Sequence, residues 1–131
     1  MPRLNISSGS PFESRYGFSR AVRVGERLLV AGTAPIWPDG FVDPDPRTQA
    51  RRCLEIMLSA LGEAGGSPSG VVRTRMYITD PAHADLIGEA HGEVFSEIRP
   101  VSTMVVVGGL LDPRWHVEME LEAVLDGDSH S

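Results

Sequence analysis

Residues 100–125 read PVSTMVVVGGLLDPRWHVEMELEAVL, and the alternation inside this stretch decides the fold. Two apolar runs flank a centre rich in turn formers, Gly108-Gly109 and Asp112-Pro113, which predicts two adjacent strands. In the second run Val117, Met119, Leu121 and Ala123 take one face, while Glu118, Glu120 and Glu122 take the other. Successive strand side chains point to opposite sides of a sheet, so this strand is apolar on one face and acidic on the other. Its three carboxylates stand in a row with a spacing of about 7 Å. Such a row is either simply wet or part of a polar site.

Working outward, residues 71–79 repeat the pattern. Val72, Met76 and Ile78 are expected on the core side, and Arg73, Arg75 and Tyr77 on the other. If this strand neighbours the acidic one, its arginines pair with the glutamates. Asp45-Pro46 opens a helix, with Asp as N-cap and Pro at the first helical position. Ala50, Cys53, Leu54, Met57, Leu58 and Leu61 follow at helical spacing, and Gly65-Gly66 stops it. Asp80-Pro81 starts a second helix running to about Glu97, with Ile87, Ala90, Val94 and Ile98 as its stripe. Gly88 and Gly92 each weaken it by about 1 kcal/mol relative to Ala. Residues 19–24 and 27–31 make a hairpin around Gly25-Glu26. Residues 32–46, with four prolines and two glycines, make a loop. Residues 1–17 are a polar arm that adds one short strand, and residues 127–131 are a polar tail.

The order is strand pair, helix, strand, helix, strand pair. Two helices cover one face of such a sheet, which predicts one α+β two-layer domain over residues 1–131. The uncovered face, part apolar and part charged, predicts a homo-oligomer. A net charge of -6 and a pI near 5.1 count against a nucleic-acid partner. Cys53 is the single cysteine, so no internal disulfide forms, and a reducing, cytoplasmic setting fits. No apolar run approaches the ~18 residues of a membrane span. Histidines and carboxylates show no metal-ligand spacing, so no metal is expected. His91 lies at the edge of the second helix's stripe, where a packed histidine is the commoner reading and a pocket residue the minority one. His83 and His130 read as solvated, and His116 as packing in the loop before the last strand.

The succession of SRAVRVGERLLVAGTAP (residues 19–35), the helix from Gln49-Ala50-Arg51, VVRTRMYITD (71–80), RPVSTMVVV (99–107) and HVEMELEAV (116–124) resembles the Rid superfamily. This is the reactive intermediate deaminase superfamily, also called YjgF or L-PSP endoribonuclease-like. The resemblance implies a chorismate-mutase-like mixed sheet with two helices on one face. It also implies a homotrimer with a barrel-like core and a small-molecule pocket at each subunit interface. The activity it implies is hydrolysis of enamines and imines, such as 2-aminoacrylate, to 2-keto acids and ammonia without a cofactor.

Carried over residue by residue, the family's water-positioning glutamate falls on Glu120 and its pocket turn on Gly32-Thr33. Its pocket aromatic falls on Phe18, with Tyr16 close by. The family's motif arginine, which grips the substrate carboxylate, falls on Ser102, beside Thr103. Serine is neutral and offers one donor against five, so the chain reads as a divergent member with a substrate other than 2-aminoacrylate. Arg75 is a candidate for the missing guanidinium or a structural partner of Glu118 or Glu120. Three functions compete: a Rid-like hydrolase or deaminase using Glu120, a non-catalytic trimer that binds a small ligand, and a ribonuclease. The last is the weakest for an acidic chain without interleaved basic and aromatic residues.

Overall fold

Proline and glycine place the elements along the chain, and alternation places them in layers. The structure, a computed structural model, describes residues 2–126. Its elements are β1 (Arg3–Ile6), α1 (Pro11–Tyr16), β2 (Ala21–Val24), β3 (Arg27–Thr33), α2 (Pro46–Glu63), β4 (Val71–Ile78), α3 (Ala84–Phe95), β5 (Val101–Val106) and β6 (Val117–Val124). The strands form one sheet in the order β1-β2-β3-β6-β4-β5. The strand β6 lies between β3 and β4 and runs antiparallel to both. Its inward residues Val117, Met119, Leu121 and Ala123 are buried against α2 and the rest of the core. This is the mixed-sheet α+β architecture that the sequence predicts.

The helix α2 begins where the Asp45 side chain accepts from the Thr48 amide at 2.9 Å, as an N-cap should. Its buried Gln49 ties two loops together: the amide donates to Asp43 and Arg114 carbonyls, and Oε1 accepts from the His116 amide at 2.7 Å. Cys53 is fully buried in the stripe. No helix among the described residues is long and apolar enough to cross a membrane.

Several expectations need correction. The strands of residues 100–125 are not neighbours, because β4 stands between β5 and β6. A strand that leaves through a helix returns parallel to the strand it left. That is how β4, α3 and β5 are joined, so β5 takes the outer edge beside β4. The segment 107–116, with its glycines and Asp112-Pro113, is therefore a crossing rather than a hairpin. Val72 does not face the core. A register shift between Val71 and Arg73 buries Val71 and leaves Val72 exposed, because one extra residue swaps the faces of a strand.

The strand β3 continues through Gly32 and Thr33 rather than giving way to the loop at Gly32. The second helix opens as a 3₁₀ turn, Pro81–His83, and its α-helical part stops at Phe95, itself buried. The arm holds a helix as well as the strand: Ser10 caps α1, Pro11 starts it, and Gly17 ends it at φ 79°. His83 is not free in solvent but packs edge-on against His116, with ring centroids 4.8 Å apart. His130 and the tail 127–131 lie outside the described residues.

On the helix-free face the expected pairing is present. Arg73 stands opposite Glu122 and Arg75 opposite Glu120, each with a nearest nitrogen-to-oxygen distance of 3.7 Å. Around this charged row the aliphatic side chains of Leu29, Val101, Val105 and Val124 are 40–63% exposed.

Candidate functional site

The last strand carries the chemistry because it is central and alternates without a break. Glu120 accepts a hydrogen bond from the Tyr77 hydroxyl and faces the Arg75 guanidinium. The bond to Glu120, with burial adding, holds the Tyr77 hydroxyl pKa above the usual tyrosine range. Beside this cluster opens a hollow of about 620 Å³ whose wall includes Arg3, Asn5, Phe18, Leu29, Ala31 and Glu120.

Glu118 sits one step along the row, across from Tyr77. Its carboxylate lies over Gly32, in space that a Cβ at that position would fill. Burial pushes its pKa up, and the nearby Glu120 charge adds to this while Arg20 opposes it. Arg20 is nine-tenths buried. Its Nη1 donates to the Gly32 carbonyl at 2.7 Å and to Thr33 Oγ1 at 2.9 Å. Its Nε has no partner among the described residues, and the guanidinium lies 5.7 Å from the centre of the Phe18 ring.

A second polar cluster occupies the other side of the sheet. The buried Thr74 donates to Ser102 Oγ at 2.8 Å and lies 2.8 Å from His91 Nε2. His91 packs at a tilt against Phe95, ring centroids 4.7 Å apart, and burial lowers its pKa.

Of the residues singled out by sequence, Phe18, Gly32, Arg75 and Glu120 are thus gathered on or around one face, while Thr33 pairs with the inward Met119 and is buried. Thr103 joins them by register, paired with Arg75. Ser102 projects to the opposite face, where His91 meets it through Thr74. Tyr16 stacks on Phe12 and is well exposed; it does not line the hollow. Sequence reasoning missed Arg20 and Thr74. Thr74 shares the parity of Met76 and could have been found. Arg20, between Ser19 and Ala21, offers no pattern that separates a buried arginine from a solvated one. Among the described residues no group of three His, Cys, Asp or Glu side chains is placed to hold a metal ion.

The family model described as Endoribonuclease L-PSP matches residues 9–125. The chain belongs to this family. Among L-PSP relatives, the Streptomyces coelicolor protein SCO2049 is 39% identical over 119 residues, covering 90% of this chain and 89% of that protein. The crystal structure of Rv2704 from Mycobacterium tuberculosis, a member of the YjgF family, is 43% identical with a TM-score of 0.88. The match covers 95% of this chain and all of that one. Escherichia coli TdcF, solved with bound serine, is 25% identical with a TM-score of 0.79, covering 93% of this chain and 94% of TdcF. TdcF bears the provisional name of a reactive intermediate deaminase, which supports a role of that kind at the level of the family.

Proposed function

We propose that the protein is a Rid-like hydrolase of small imines or enamines, acting in clefts between the subunits of a homotrimer, with Glu120 orienting the attacking water. The observation that carries this reading is the placement of Glu120 in the wall of the hollow, held by Tyr77 and Arg75. A positioned carboxylate within reach of water serves as a general base. The exposed aliphatic side chains around the charged row give the helix-free face a reason to be covered by further copies. Arg75 is engaged with Glu120 rather than free to clamp a substrate carboxylate, and Ser102 carries no charge. The substrate is therefore one that does not rely on the family's arginine grip, which sets 2-aminoacrylate aside.

A second reading, a trimer that binds a small ligand without turnover, draws on the same contacts. Tyr77 and Arg75 already occupy acceptor positions of Glu120 that a water would use. Stopped-flow decay of imines generated in solution separates the two. Acceleration by the wild type and a loss of about 100-fold or more in Glu120→Gln is the expected result. If decay is not accelerated and serine or another small metabolite raises the unfolding temperature instead, the binding reading replaces the first.

A further inference from the structure

The side of the sheet that faces the helices carries a line of polar groups that the chemistry at Glu120 does not use. On β4 the Thr74 side chain is buried, and its hydroxyl donates to Ser102 Oγ on β5 at 2.8 Å. A hydroxyl has one hydrogen to give. At the same Thr74 oxygen His91 Nε2, also 2.8 Å away, is therefore the donor. This fixes the ring as the Nε2–H tautomer, and burial, which lowers its pKa, keeps it neutral near pH 7. Phe95, itself buried, packs against the imidazole and holds it in place. The polarity of the line runs one way, from His91 through Thr74 to Ser102. Ser102 is exposed on the edge strand, and its own hydrogen has no acceptor among the described residues. The helix α3 leaves room beside it. A Cβ at Gly88 would meet only Met104 Cε, at 3.9 Å, and one at Gly92 would meet nothing within 4 Å. These two positions flank His91 along the helix, so a notch is left between α3 and β5. Met104, two residues along β5 from Ser102 and on the same face, gives the notch an apolar wall.

We infer that this notch is a binding site for an uncharged carbonyl compound, an amide or a ketone, whose oxygen accepts a hydrogen bond from Ser102. Thr74 and His91 are positioning residues. They engage the serine oxygen as an acceptor from behind, which leaves its hydrogen to point outward. Hydrogen bonds in a chain polarise one another, so Ser102 donates more strongly than an isolated serine would. The three groups of the line offer nothing cationic. A carboxylate entering the notch would exchange its hydration for one neutral donor, a net loss. A carbonyl oxygen gives up far less water and is satisfied by that donor. The alkyl part of such a ligand lies against Met104. The site is one of binding and asks for no turnover, so it is decided separately from imine hydrolysis.

Isobutyramide and isobutyrate share a shape and differ in charge, and NMR titration of the full-length protein at neutral pH compares them. The amide is expected to bind at least about 10-fold more tightly than the acid. Ser102→Ala is expected to weaken amide binding about 10-fold. Thr74→Val, which keeps the shape and removes the hydroxyl, and His91→Phe are each expected to lose about 3-fold or more. Thr74→Ser and His91→Gln, which keep a hydroxyl and an N–H donor, are expected to stay within about 2-fold of the wild type. Nitrogen NMR of the imidazoles, with His91 assigned by the signals lost in His91→Gln, is expected to show the Nε2–H tautomer. That measurement holds even where Thr74→Val fails to fold. An Nδ1–H ring at His91, or a folded Thr74→Val that binds the amide as the wild type does, overturns the relay. Equal binding of amide and acid, no binding of the amide, or unchanged amide binding in Ser102→Ala overturns the site.

Discussion

At the scale of single residues, the contrast between neighbouring glutamates has a thermodynamic signature that needs no substrate. The folded state holds the Glu118 proton more tightly than the unfolded chain does. Between the unfolded and folded pKa values the native protein therefore binds more protons, and stability falls as pH rises through that window. Glu118→Gln removes this penalty. Its unfolding temperature should exceed that of the wild type at pH 7 to 8, and the gap should close as pH falls below about 4, the ordinary carboxylate value. Thermal melts across pH check this, and a gap that is independent of pH would refute it. The row of glutamates was legible in residues 117–124, because alternation is local. The burial of Glu118 was not, because it depends on Gly32, a residue distant in sequence and brought alongside only by the pairing of β3 with β6.

At the scale of elements, what the chain announces locally is what the structure keeps. The helix α2 carries its own cap, stripe and stop, so its limits could be read directly. The order of strands could not. Whether β5 sits beside β6 or beyond β4 depends on two helical crossovers, and each run looks the same in either place. Val72 was misplaced for a similar reason: a bulge is set by the partner strand and leaves no mark in a run of valines. The central position of β6 gives a mechanical prediction. Leu121, almost fully buried between β3 and β4, should cost about 2 to 5 kcal/mol when replaced by Ala. Leu111, 93% exposed in the crossing segment, should shift stability by less than about 0.5 kcal/mol on the same change. Urea unfolding of the two variants measures the difference.

At the scale of the whole molecule, the proposed assembly rests on the helix-free face. Light scattering is expected to give about three times the 14.2 kDa of one chain. Val105→Asp, which places a charge among the aliphatic side chains of that face, should lower the mass toward a single chain. Retention of the full mass by this variant would mean that the face is not the contact. Glu120 and Ser102 point out of opposite sides of the sheet, so a small guest that touches both must be held by two chains. In a mixed population where some chains lack the carboxylate and others the hydroxyl, certain seams would still bring an intact pair together. Competence would then be the property of a border between neighbours and could reappear in hybrids of two crippled parents.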